Sequence, residues 1–238
     1  DALPILLELL KKIGFTYGLI ILVLSNFIYQ TQKTSIKKEE HLKNSQFVRS
    51  IIFKKLFLGI FLGTFAGLLI IGSLRIIGGQ YGISNHNLIL GISFFAVANF
   101  LGRLSWGFLS DYLGASLSIF FALFLQSASI ITLNIVPLTD TWYLIASTLI
   151  GFGFGGNFVL FAKETAQVFG VKNLGIIYPY VFLGYAIAGI TGPFSGGIMY
   201  DFSGSYYYAI ILASLMSLAG SLLFLTDYIK SRKNNNPT

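Results

Sequence analysis

The residue in this chain whose chemistry is hardest to reconcile with its surroundings is Arg103. It lies in Asn99-Phe-Leu-Gly-Arg103-Leu-Ser-Trp-Gly107-Phe-Leu-Ser-Asp111-Tyr-Leu-Gly114, at the end of the apolar run Leu88–Leu109. If the run is a helix that ends near Asp111, Arg103 sits eight residues, about 12 Å, deeper than that end. A guanidinium so placed is costly to bury and marks a functional site by default. It can hold a carboxylate through two parallel hydrogen bonds. Asn99, one turn earlier on the same face, is placed to orient it. Two structural readings compete: Arg103 snorkels to the nearer interface, or it pairs with an acid outside this chain, since no other apolar run contains an acidic residue.

The second feature is Gly107-x-x-Ser-Asp111-x-x-Gly114. Small residues let two helices cross closely. An Asp there can accept from the N-terminus of a neighbouring helix and favour one conformation. The alternative is an ordinary polar loop with a structural Asp.

Other residues carry weaker signals. Asn157, in Gly151-Phe-Gly-Phe-Gly-Gly-Asn157, reads equally as a substrate contact or a helix–helix hydrogen bond. Tyr178, Tyr180 and Tyr185 either line a pathway or pack and anchor a helix. Gly151, Gly153, Gly155 and Gly156 read as a close-packing face rather than a phosphate cradle. Gln126 faces either a pathway or a neighbouring helix, and Lys163 with Glu164 reads as a solvated loop pair. Gly192 and Pro193 mark a bend in a long apolar run. There are no cysteines and only two histidines, so neither a metal site nor a cofactor is expected. Catalysis by acid–base or nucleophilic groups needs clustered His, Asp, Glu or Cys. His41 and His86 lie between apolar runs and the acids lie at run ends, so no enzyme is expected.

These side chains must be positioned by membrane-spanning helices. Hydrophobic residues make up 55% of the 238 and charged ones only 11%, well below the roughly 25% of soluble domains. The mean hydropathy is +0.76. Seven runs approach the ~20 residues a span needs: Ile13–Tyr29, Leu56–Ile77, Leu88–Leu109, Ser116–Val136, Trp142–Phe161, Leu174–Met199 and Tyr206–Thr226. The fold class is therefore all-α and polytopic. The net charge of +7 reads as the Lys/Arg excess of cytoplasmic loops, not as a nucleic-acid surface. The connection 31–55 is rich in Lys and Arg, whereas Gly78–Asn87, Pro137–Thr141 and Asp201–Ser205 have none. That alternation predicts residues 31–55 and the C-terminus in the cytoplasm, in a plasma or inner membrane. The basic loop reads as a linker with some contact to anionic lipid headgroups.

One span, a long basic loop, then six closely connected spans is an asymmetric layout. It predicts a piece cut before the sixth helix of a 6+6 protein: 1–30 with the sixth helix, 31–55 an inter-bundle loop, 56–227 a six-helix bundle, 228–238 a tail. The absence of Met at position 1 and of a signal-peptide pattern agrees with a piece of a longer chain.

The Asn99–Gly114 stretch resembles the eighth-helix motif of the major facilitator superfamily, and more narrowly the oxalate/formate antiporter and monocarboxylate transporter group. Gly151–Phe161 resembles that group's Gly-rich tenth helix. Phe169-Gly-Val-Lys172-Asn-Leu-Gly175 looks like its inner loop, and Gly192–Tyr206 resembles the end of its eleventh helix. The resemblance implies secondary active transport, by exchange or proton symport, of a small organic anion bound between two six-helix halves that rock to alternate access. It implies that Arg103 holds the substrate carboxylate, with Asn99, Asn157, Tyr178 and Tyr185 as candidate contacts. Gly107, Asp111, Gly114, Gly192 and Pro193 would be conformational positions. The expected partners are the substrate, membrane lipid and an N-terminal half, with no nucleic acid. Oxalate-type members also carry a lysine in the eleventh helix. Here Phe182 or Leu183 stands in that place, and a single cation suits a monocarboxylate better than a dicarboxylate. The rival class is a seven-helix receptor or sensor. A retinal protein would need a lysine within the last span, and Tyr206–Thr226 has none.

Overall fold

A computed structural model describes residues 2–25 and 47–235. Seven helices are described: α1 Ala2–Ser25, α2 Ile51–Gln80, α3 Asn85–Leu113, α4 Ala115–Ile135, α5 Asp140–Phe169, α6 Val171–Ser203 and α7 Tyr207–Asn235. The chain divides into two compact units, residues 1–41 and 42–238. Among the described residues α2 to α7 are each long and apolar enough to cross a membrane. The helix α1 differs for a reason visible in its sequence: every 18-residue stretch of Ala2–Ser25 contains Glu8, Lys11 and Lys12. The expected first span, Ile13–Tyr29, runs beyond the described residues, as does most of the basic connection 31–55.

The helices α2 to α7 extend past the expected spans by up to nine residues. The run ending at Phe161 continues as helix to Phe169, which puts Lys163 and Glu164 on α5 rather than in a loop. Starts and stops follow local chemistry. The hydroxyls of Ser50, Ser84 and Thr139 accept the backbone N–H of Phe53, Asn87 and Trp142 at 3.2, 3.4 and 3.2 Å, capping α2, α3 and α5. Gly114 alone joins α3 to α4 at φ +82°, and Gly170 alone joins α5 to α6 at φ +84°. A side chain there would be strained, and the single-residue junctions hold consecutive helices antiparallel. The helix α6 runs through Pro179 and Pro193 without a break in its assignment.

The bundle is centred on α2 and α5. Of the most apolar stretch of each helix, 67% and 61% of residues are buried in α2 and α5, against 28% in α3 and 22% in α6. The helices α3 and α6 therefore present their wide faces outward. In hydrocarbon nothing is gained by burying one apolar side chain against another, so close backbone contact holds the helices together. On α6, a Cβ at Gly184 or Gly192 would meet the carbonyl oxygens of Phe57 and Phe65 of α2 at 2.7 and 2.9 Å. On α5, a Cβ at Gly151 or Gly155 would overlap the carbonyl oxygens of Phe95 and Asn99 of α3. One at Gly102 would overlap that of Phe152 in return.

Candidate functional site

The α3–α5 contact is what places Arg103. Asn99 is the central residue of α3, with fourteen residues on either side in Asn85–Leu113. Arg103 follows one turn later, about 6 Å from the helix midpoint. Gly155 lies directly against the backbone of this turn, 3.0 Å from the Arg103 nitrogen when given a Cβ. With the two backbones so close, the next large side chain of α5, Phe158, comes under the guanidinium. The Arg103 Cζ lies 4.3 Å from the Phe158 ring centroid, a cation–π contact. The Arg103 Nε donates to Asn99 Oδ1 at 3.1 Å, so the turn earlier on the same face does orient it. Arg103 is exposed on the surface of the bundle. Among the described residues no acid forms an ion pair with it.

Phe158 belongs to an aromatic cluster contributed by α5 and α6. Tyr185 meets it edge-on at 5.4 Å and Phe154 likewise at 5.5 Å. Phe182 stacks on Tyr185 at 4.8 Å with 22° between the rings and also touches Tyr178. The Tyr178 hydroxyl donates to the Phe158 carbonyl oxygen at 3.2 Å, tying α6 to α5 beside the arginine. Of the two residues that stand where the lysine was expected, Phe182 is thus part of the cluster, while Leu183 is 52% exposed. The group offers one cation, fixed at one edge by an amide and at one face by a ring, beside an apolar wall. Such an arrangement can receive one carboxylate and accommodate an apolar body next to it.

The remaining candidates fall elsewhere. Asn157 is 1% exposed. Its Nδ2 donates to the Phe154 carbonyl at 3.1 Å and to Gln126 Oε1 at 3.4 Å. Gln126, fully buried on α4, donates to the Gly63 carbonyl of α2 at 2.8 Å. Asn157 therefore bridges α5 to α4, and through Gln126 to α2, as the helix–helix reading expects. The Asp111 carboxylate pairs with Lys163 of α5, not with a helix N-terminus, and Lys163 also donates to Ser110 Oγ at 2.8 Å. Glu164 accepts from Ser116 of α4 at 3.1 Å. Lys163 and Glu164, expected as a solvated pair of each other, instead staple α5 to α3 and to α4. Gly107 faces Val159 of α5, with 3.3 Å left for a Cβ. Gly192 is the close approach of α6 to α2, and Pro193 next to it is exposed. Tyr180 packs edge-on against Phe47 at 5.5 Å, away from the Arg103 group. Phe158, the platform under the arginine, was not singled out from sequence. The available signal was its position one residue after Asn157 and three after Gly155.

Six helices long and apolar enough to cross a membrane, one of them carrying Arg103 near its middle, define a multi-pass membrane protein with a candidate anion site. The family follows from comparison: the model of the Major Facilitator Superfamily matches residues 56–238, and the chain belongs to that family. Its relatives include the oxalate:formate antiporter of Oxalobacter formigenes, 26% identical over 188 residues, covering 75% of this chain and 44% of that protein. The MFS transporter asaE of Aspergillus flavus is 29% identical over 134 residues, covering 56% of this chain and 30% of that protein. Human monocarboxylate transporter 14 is 25% identical over 149 residues, covering 61% of this chain and 29% of that protein. The chain spans less than half the length of each of these curated relatives.

Proposed function

We propose that this chain supplies the C-terminal bundle of a secondary active transporter for a small organic anion, a monocarboxylate by preference. Arg103 is the anion receptor, held by Asn99 and Phe158. Phe182, Tyr178 and Tyr185 form the wall beside it. The exposed faces of α3 and α6 would meet an N-terminal half, and substrate would bind between the halves near the midplane. Residues 31–55 and the C-terminus would be cytoplasmic. The observation that carries this reading is the Arg103 guanidinium near the middle of a membrane-spanning helix, fixed on both edge and face yet free of a carboxylate partner among the described residues. A cation held at the depth of the hydrocarbon core needs a counter-charge, and a substrate carboxylate supplies it. Of the four acids of α2–α7 with described side chains, Asp111, Asp140 and Asp201 lie in the first or last turns of their helices, and Glu164 lies within the last two turns of α5. This favours exchange over proton symport.

The test is exchange of labelled formate, acetate, lactate and oxalate in proteoliposomes by the full-length protein and its Arg103→Gln variant. Hydrogen bonds to a charged group contribute about 1.5–3 kcal/mol each, so the variant should lose about 10- to 100-fold in kcat/KM for its substrate. Unchanged uptake by Arg103→Gln would remove the arginine from the site and point to neutral substrates.

A further inference from the structure

We propose that a groove on the wall of the bundle, between the Asp140 ends of α3 and α5, binds one acyl chain of an ammonium-headed phospholipid. The groove has a volume of about 390 Å³. It is lined by Asn87 and Phe94 of α3 and by Asp140, Thr141, Leu144, Ile145, Thr148 and Leu149 of α5. It is separate from the anion site. Phe94 and Arg103 are nine residues apart on α3, as are Leu149 and Phe158 on α5. Nine residues are two and a half turns, so each pair points to opposite sides of its helix. The groove therefore opens on the far side of the α3–α5 seam from the Arg103 cluster.

Three features fit a lipid and choose its head. The first is depth: from Asp140 to Leu149 the groove runs about 13 Å along α5, close to half of the ~30 Å hydrocarbon core, which is one leaflet. The second is the distribution of polarity. Asp140, Asn87 and Thr141 stand at one end, and the interior is Phe94, Leu144, Ile145 and Leu149. Thr148 lies deep, but its hydroxyl already donates to the Leu144 carbonyl at 2.7 Å, leaving a methyl for the groove. The third is charge. Asp140 Oδ1 accepts the Ser84 N–H at 3.1 Å. The anion is thereby fixed at the mouth while remaining solvent-exposed, and no basic residue lines the groove. A fixed carboxylate at headgroup level selects a cation that can donate N–H bonds. Ethanolamine offers that, choline has no N–H, and glycerol phosphate is repelled.

The experiment is native mass spectrometry of the full-length, delipidated protein in detergent, titrated with phosphatidylethanolamine, phosphatidylcholine and phosphatidylglycerol. Wild type is compared with Ile145→Trp, which fills the groove from a position 41% exposed, and with Asp140→Asn. The expected result is one phosphatidylethanolamine held about tenfold more tightly than the other two lipids. Ile145→Trp should abolish that preference, and Asp140→Asn should level the three lipids. Equal affinities in wild type overturn the head-group assignment even if Asp140→Asn folds poorly. Tight phosphatidylethanolamine binding that survives Ile145→Trp overturns the groove. The absence of a lipid preference in wild type overturns the proposal whatever the stability of Ile145→Trp.

Discussion

Replacing Gly155 by Ala tests the link between helix packing and the anion site. A Cβ at this position would lie 3.0 Å from the Arg103 nitrogen and 3.2 Å from the Asn99 carbonyl carbon, with the Asn99 oxygen closer still. Ordinary contact begins at about 3.4 Å, so α3 and α5 must part by at least several tenths of an ångström. The opposing atoms are backbone in mid-helix and have no rotamer with which to yield. Overpacking of this kind costs about 1–3 kcal/mol, partly offset by the roughly 1 kcal/mol that Ala gains over Gly in a helix. The same parting moves Arg103 relative to Phe158, whose ring now lies 4.3 Å away. The assay is thermal unfolding of the full-length protein in detergent, paired with substrate affinity. Gly175→Ala serves as a control, because no atom lies within 4 Å of a Cβ there. Gly155→Ala should melt several degrees lower and bind substrate more weakly, whereas Gly175→Ala should melt at the same temperature or higher. A Gly155→Ala protein as stable as wild type, with unchanged affinity, would refute the claim that this contact sets the arginine's position.

Two further outcomes are expected. Gln126→Leu leaves the Gly63 carbonyl and Asn157 without their shared partner, and should destabilise the bundle by about 0.6–2 kcal/mol without altering substrate preference; thermal unfolding and a substrate panel check both. In a double-mutant cycle on Asp111 and Lys163, the coupling should be about 0.2–1 kcal/mol and weaken in high salt, because the Asp111 side chain is 65% exposed.

Much of the fold was legible because the bilayer imposes one requirement on every span: all backbone polar groups must be satisfied within the segment. Apolar runs of the right length therefore give the helices α2 to α7 directly. Glycine placement gave the tight face of α5, since Gly151 and Gly155 lie where the α3 backbone leaves no room for a Cβ; the close approach of α6 to α2 at Gly184 and Gly192, the latter read as part of a bend, came from the structure. Helix ends were less legible. Lys163 and Glu164 look like loop residues by hydropathy, yet continue α5, because a helix emerging from the bilayer needs no apolar side chains to remain a helix.

The candidate site was legible only in part. The sequence by itself determined that Arg103 lies on a membrane-spanning helix with Asn99 one turn away, because both facts follow from helical spacing within one segment. It could not choose between the two readings of Asn157, nor between Phe182 and Leu183, because a side chain's partners across a seam depend on how two helices are rotated about their axes. Only the tertiary structure shows those contacts. It turned Asn157 toward Gln126 and α2, brought Phe158 beneath Arg103, and set Phe182 rather than Leu183 against the tyrosines. The physical reason is that glycine contacts fix the rotation of α5 against α3, and of α6 against α2. One residue's difference in that rotation, about 100°, changes which side chain meets the arginine.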